Sequence, residues 1–240
     1  MKTNILGSVI AMVAVVVLSG CLKSPEDTKP ITPQTYVSVM YLAPTAPSVD
    51  IYFDAEKVSS SAFPAGTVTP IYNALDKGIF SVKFKKAGVD SLVAQVPVTL
   101  YDSAKYYTIF VYNAQVNGAA NAIRINDDFS NVLADNSKPY YRFFHSSPNA
   151  GAVDLYIDNV KVENGRTIAD NSQMDILNKF LGTTPGLHNL QVKLAGTDTV
   201  LATLTNTQFA AGNAYTFYLK GLNGGTGLNE LSIGVLMAAD

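Results

Sequence analysis

PNAGAVDLYIDNVKV, residues 148–162, repeats PTAPSVDIYFDAEKV, residues 44–58, at a constant offset of 104, with eight of the fifteen positions identical. A second block, GIFSVKFKKAGVDSLVA at 78–94, answers without a gap to GLHNLQVKLAGTDTVLA at 186–202, now at an offset of 108. The chain is therefore one module written twice, and the second copy carries four extra residues between Val162 and Gly186. A strand alternates its faces and a repeated module must bury the same one, so matched positions separate inside from outside. Val49, Ile51 and Phe53 answer to Val153, Leu155 and Ile157. Phe80, Val82 and Phe84 answer to His188, Leu190 and Val192, and Tyr107, Ile109 and Val111 answer to Tyr215, Phe217 and Leu219. These stripes are the expected core.

Beyond residue 36 the chain is rich in Val, Ile, Thr, Tyr and Phe, with turn residues at short intervals, which predicts an all-β fold of about seven strands per copy. Gly/Asn-rich turns at 113–121 and 221–229 each precede a last strand, at 122–127 and 231–237. The expected organisation is a signal at 1–20, a tether at 21–35, β-sandwich domain 1 at 36–129, a polar linker at 130–138 and β-sandwich domain 2 at 139–240.

The first twenty residues hold one charge, Lys2, followed by a 14-residue apolar run at 5–18. A bilayer-spanning helix needs about 20 such residues, so the run reads as a secretory signal rather than a permanent anchor. It ends in Leu18-Ser19-Gly20-Cys21, which resembles the lipobox of bacterial lipoproteins. That resemblance implies cleavage before Cys21 and acylation of its thiol, and Cys21 is the one cysteine of the chain. Acyl chains contribute about 0.8 kcal/mol per buried methylene, enough for stable anchoring when two or more are attached. Leu22 is not the aspartate that retains lipoproteins at the inner membrane, so the expected site is the outer membrane, with Glu26 and Asp27 favouring surface display. Pro25, Pro30 and Pro33 make residues 22–35 an extended tether with a reach of roughly 40 Å.

From Cys21 onward 16 basic residues face 19 acidic ones, a net charge of −3 (16 − 19), and no basic stripe exists, which argues against nucleic acid as a partner. Asp50, Tyr52 and Asp54, and their copies Asp154, Tyr156 and Asp158, alternate along one strand face. Residues four apart on a strand are about 13 Å apart. The outer pair is thus too far apart for a glycosidase, which needs roughly 5–9.5 Å. The first Asp of each triplet is expected to hold the proline turn before it. His145 and His188 answer to Tyr41 and Phe80, which points to packing. The glycines of GLNGGTG at 221–227 lack the Lys-Ser/Thr ending of a phosphate loop and read as a hairpin turn. The sequence therefore predicts no catalytic residues, metal site or cofactor, the counter-reading being a hydrolase built on the loop at 163–170.

One asymmetry suggests a binding surface. Tyr106, Phe110 and Tyr112 occupy the outward face of a strand whose copy has Ala214, Tyr218 and Lys220. Aromatics on a nominally wet face either meet another part of the chain or form a candidate partner-binding face for a glycan, envelope protein or host protein.

His145-Ser146-Ser147-Pro148-Asn149-Ala150, then Val153-Asp154 and Tyr156-Ile157-Asp158, resembles the opening signature of the family known as domain of unknown function 4397. The first copy has Tyr41 where the signature has histidine and keeps Pro44, Ala46, Val49, Asp50, Tyr52 and Asp54. The resemblance implies tandem immunoglobulin-like β-sandwiches of secreted and envelope proteins, and it carries no established activity. The overall expectation is a lipid-anchored, non-catalytic binding or adhesion module of the envelope, the alternative being a structural spacer or assembly factor of the outer membrane.

Overall fold

A computed structural model describes residues 32–238, and the chain from Thr32 to Asp240 forms a compact unit by itself. The lipobox residues Leu18, Ser19 and Gly20, the attachment residue Cys21 and the tether up to Ile31 lie outside the described residues. Among the described residues no helix is long and apolar enough to cross a membrane.

The fold is all-β. The first copy contributes β1 (Gln34–Tyr41), β2 (Val49–Phe53), β3 (Glu56–Lys57), β4 (Thr67–Val68), β5 (Asn73–Asp76), β6 (Gly78–Lys86), β7 (Leu92–Tyr101), β8 (Tyr106–Asn113) and β9 (Ala120–Asn126). A short helix α1 (Ser130–Ala134) leads to the second copy. It contains β10 (Tyr140–His145), β11 (Val153–Ile157), β12 (Val160–Arg166), a 3-10 turn (Ile168–Ser172), α2 (Met174–Leu177), β13 (Leu181–Gly182), β14 (Gly186–Leu194), β15 (Val200–Phe209), β16 (Ala214–Lys220), a 3-10 turn (Gly227–Asn229) and β17 (Ser232–Ala238). β1 starts at Gln34, so the last two residues assigned to the tether are strand, and Thr35 is buried. The linker at 130–138 is not simply a polar connector, since α1 buries Val132.

Each copy is a sandwich of two sheets. In the first, β4-β1-β8-β9, with β5 also on β1, faces β3-β2-β6-β7; in the second, β13-β10-β16-β17 faces β12-β11-β14-β15. The parallel pairs β1–β8 and β10–β16 are equivalent, Tyr36 opposite Tyr106 and Tyr140 opposite Ala214. The stripes matched in the sequence fill the two cores. Val37, Val39, Tyr41, Val49, Ile51, Val82, Phe84, Tyr107, Ile109 and Val111 form one. Tyr141, Phe143, Val153, Leu155, Ile157, Leu190, Val192, Tyr215, Phe217 and Leu219 form the other. Burying each such side chain contributes about 1.5–3 kcal/mol.

The sheets β4-β1-β8-β9 and β13-β10-β16-β17 have a second buried face. Met40, Phe110, Tyr112 and Ile125 of the first copy pack with Phe144, Tyr218 and Leu236 of the second. A further cluster of Val132, Tyr140, Phe180, Ala214 and Ala238 continues it towards α1. The result is four stacked sheets with three apolar layers between them. That is why every residue of β10, YYRFFH, is buried: a strand covered on both faces reads as a continuous apolar run rather than an alternation. Lys220, which stands where the first copy has Tyr112, donates from Nζ to the Gly66 carbonyl 2.9 Å away and ties the second copy to the first.

Candidate functional site

The two Asp-x-Tyr-x-Asp triplets prove to be pins for hairpins, and their turn glycine, lysine and backbone N–H partners are repeated in the second copy. Asp50 accepts the Gly88 N–H and pairs with Lys57 at 2.9 Å; Asp154 accepts the Gly196 N–H and pairs with Lys161 at 2.6 Å. Both carboxylates thus hold the β6–β7 or β14–β15 turn, and not the proline turn before them as the sequence suggested. Nor are they on an open face, since Asp50 is 5% and Asp154 0% exposed. Asp54 accepts the N–H and hydroxyl of Ser81, and Asp158 accepts the N–H of the equivalent Asn189. These bonds hold both carboxyls below their ordinary value, the Ser81 N–H being the main cause at Asp54 and the Asn189 N–H at Asp158. At Asp154 burial pushes the carboxyl up, but Lys161 and the N–H groups of Gly165 and Gly196 outweigh it and hold the group down. Asp158 and Asn159 both have positive φ, 47° and 67°, as the two central residues of a tight hairpin require.

His145 and Tyr41 share one task. Tyr41 donates its hydroxyl to the Pro47 carbonyl at 2.7 Å, and His145 Nε2 donates to the equivalent Gly151 carbonyl at 2.8 Å. The histidine is 1% exposed, and burial pushes its imidazole below its ordinary pKa. Arg166 and Asp170 are the charged groups that act on it, in opposite directions. A base depressed in the folded state leaves the unfolded chain to take up the proton first. The stability it contributes is therefore complete above the ordinary histidine value of about 6.5 and declines as pH falls below it. The difference in unfolding free energy between the wild type and His145→Phe should narrow from pH 7 to pH 5 in urea titrations, whereas a pH-independent difference would show that His145 does not titrate against folding.

His188 faces the second core. It stacks on Phe209 with ring centroids 4.6 Å apart, and its Nε2 lies 2.9 Å from the Thr184 carbonyl and its Nδ1 2.5 Å from Asp158. The loop at 163–170 offers no free acid pair. Arg166 bonds to Glu163 at 2.9 Å, to Asp170 at 3.1 Å and to the Phe143 carbonyl, so both carboxylates are engaged by one guanidinium. Among the described residues no group of three or more His, Cys, Asp or Glu side chains is placed to hold a metal ion. The glycine-rich loop at 221–227 runs into a 3-10 turn before β17, and Asn149 clasps it through reciprocal bonds with the Asn223 backbone.

The expected binding face is covered. Phe110 is 0% and Tyr112 7% exposed, and Phe110 lies 5.1 Å from both Tyr112 and Phe144 between ring centroids. Two of the three aromatics therefore belong to the layer between the copies. Tyr106 stacks on Tyr36 at 4.8 Å and meets Tyr72 and Phe129 edge to face. It remains half-buried and lines a cleft of about 460 Å³ at the seam, with Phe129, Val132, Ala214 and the rim residues Lys105 and Asp128. Leu133, also in its lining, is 85% exposed.

The residue that sequence reasoning missed is Arg142, 1% exposed in the same layer. Its Nη1 bonds to Asp127 at 2.5 Å and to the Leu177 carbonyl at 3.0 Å; Nε donates to Thr216 at 2.8 Å and Nη2 to Thr108 at 3.0 Å. Thr108 and Thr216 are equivalent positions of the two copies, so one guanidinium bridges them. Asp127 also accepts the hydroxyls of Tyr72 at 2.6 Å and Thr108 at 2.7 Å. The signal was present: a lone arginine inside an aromatic strand needs a buried partner.

No curated protein matches the chain. A family model, domain of unknown function (DUF4397), matches residues 35–156, from the first strand of the first copy through β10 and into the repeated Asp-x-Tyr motif of the second. The match takes in about half of the chain, including the turn that His145 pins and the first triplet, and by it this chain belongs to the DUF4397 family of domains of unknown function.

Proposed function

We propose that the chain is a lipid-anchored, non-catalytic binding module of the bacterial cell envelope, attached to the outer membrane through Cys21 and displayed at the cell surface. The observation that carries the binding reading is the seam cleft. Its walls are mostly aromatic and apolar, with Lys105, Asp127, Asp128 and Ser130 as the polar residues among them, and the exposed Leu133 is part of its lining. This combination suits a protein side chain or a sugar ring, for which a mostly aromatic and apolar surface with a few polar groups is the usual site. Envelope proteins, host proteins and glycans are the partner classes. The sequence Leu18-Ser19-Gly20-Cys21 supports the anchor.

A structural spacer is the second reading, favoured by the Arg142 network, which fixes one copy on the other. Metabolic labelling of cells with an alkyne palmitate, followed by protease shaving, tests the anchor and its side of the membrane. Wild-type protein should carry the label and disappear from intact cells, and Cys21→Ala should carry none. Label on Cys21→Ala, or protection in intact cells with loss on lysis, would overturn anchoring at Cys21 or surface display respectively. Leu133→Glu, a change at an exposed position, should abolish binding to glycan and matrix-protein arrays under the binding reading.

A further inference from the structure

The first sandwich has an opening that the second has filled. A cleft of about 540 Å³ enters the first core between β1, β2 and the segments at 58–63 and 69–75, with Val37, Val39, Ile51, Phe53, Phe63 and Leu75 as its apolar wall. Ser59, Ser60, Ser61, Thr69 and Asn73 supply its polar groups, and none of its lining residues is charged. The cause is visible in the repeat. Val37 and Val39 stand where the second copy has Tyr141 and Phe143, 4% and 1% exposed in its core. The Tyr141 ring stacks on Phe217 at 5.7 Å and carries its hydroxyl to 3.4 Å from the carbonyl of Val162. The residue equivalent to Val162 is Val58, on the wall of the cleft. Two aromatic rings and one hydroxyl are therefore what the second module places in the space that the first leaves open.

We infer that this cleft is a binding site for an uncharged aromatic ligand of about two rings that carries a hydroxyl or a similar hydrogen-bonding group. A close-packed interior does not ordinarily leave such a space open at the cost of its own contacts. The absence of any charged side chain excludes the pairing that a buried anion or cation needs, so the ligand is neutral. The volume falls within the range of small-molecule sites, which are mostly apolar with a few placed polar groups. The inference deepens the binding reading at a place separate from the seam, and it does not depend on lipidation at Cys21.

The test uses residues 32–240, which hold all four apolar clusters and form a compact unit. N-phenyl-1-naphthylamine, an uncharged two-part aromatic probe, is titrated by fluorescence. Saturable enhancement at one site is expected, reduced at least about tenfold in Val37→Tyr/Val39→Phe, the variant that carries the second copy's own residues. That variant should melt no lower than wild type, and Val39→Phe alone serves if the double variant misfolds. The anionic probe 8-anilinonaphthalene-1-sulfonate should bind at least about tenfold more weakly. Equal binding of the two probes, non-saturable enhancement, or enhancement unaffected by either filling variant would overturn the inference. Leu133→Glu should leave the probe titration unchanged, so failure at this cleft and failure at the seam are read separately.

Discussion

Arg142→Met is expected to lower the unfolding free energy of residues 32–240 by about 3–5 kcal/mol, the loss characteristic of removing one partner from a buried ion pair. The side chains of Arg142 and Asp127 are 1% and 0% exposed, so the carboxylate left behind has no water to solvate it. The Thr216 hydroxyl and the Leu177 carbonyl lose a donor at the same time. The double variant Arg142→Met/Asp127→Leu should recover part of the loss, because the unpaired charge is then absent and what remains short of a partner is neutral: the Tyr72, Thr108 and Thr216 hydroxyls and the Leu177 carbonyl. Urea unfolding curves of the single and double variants measure this directly. The effect should persist at high salt, since buried pairs are screened far less than exposed ones. A single-variant loss under about 1 kcal/mol would mean that the pair is solvated and the layer open.

Phe110→Ala should cost about 3–5 kcal/mol, as large-to-small changes at fully buried aromatics do. This substitution separates the two roles that the sequence allows for Phe110. As part of an open binding face it would weaken a partner and leave folding nearly untouched. As part of the layer between copies it removes a ring at 0% exposure that packs on Tyr112 and Phe144. Urea unfolding of Phe110→Ala in the absence of any partner decides between them.

The repeat made much of this legible. Matching residues 44–58 to 148–162 and 78–94 to 186–202 identified the inward faces of β2 and β6, and the same offset of 108 carried on to β8, because both copies bury the same stripe. It also flagged the triplets as paired features. The partners of Asp50 and Asp154 were not legible, since Gly88 and Gly196 are brought to them by strand pairing across 38 and 42 residues. The layer between the copies was harder still. Tyr106, Phe110 and Tyr112 were recognisable as aromatics out of place, but their cover, Phe144, Tyr218 and Leu236, comes from the other copy. YYRFFH in β10 and YYTIFVY in β8 are nearly continuous apolar runs, the pattern of strands buried on both faces. Reading them by alternation alone assigned one face to water. The cleft in the first sandwich was not legible from patterning either: Val37 and Val39 lie on the inward face of β1, and only side-chain size, set against Tyr141 and Phe143, reveals the space.

These features describe a molecule whose two inner sheets are buried on both faces, with clefts at the seam and in the first sandwich. That rests on the two copies behaving as one body, and hydrogen exchange followed by mass spectrometry across a urea series tests it most directly. β6 in the first core and β14 in the second should lose protection together, at one urea concentration, with Arg142→Met shifting both. Loss of protection in one strand while the other stays protected would show two independently folding sandwiches and contradict the account.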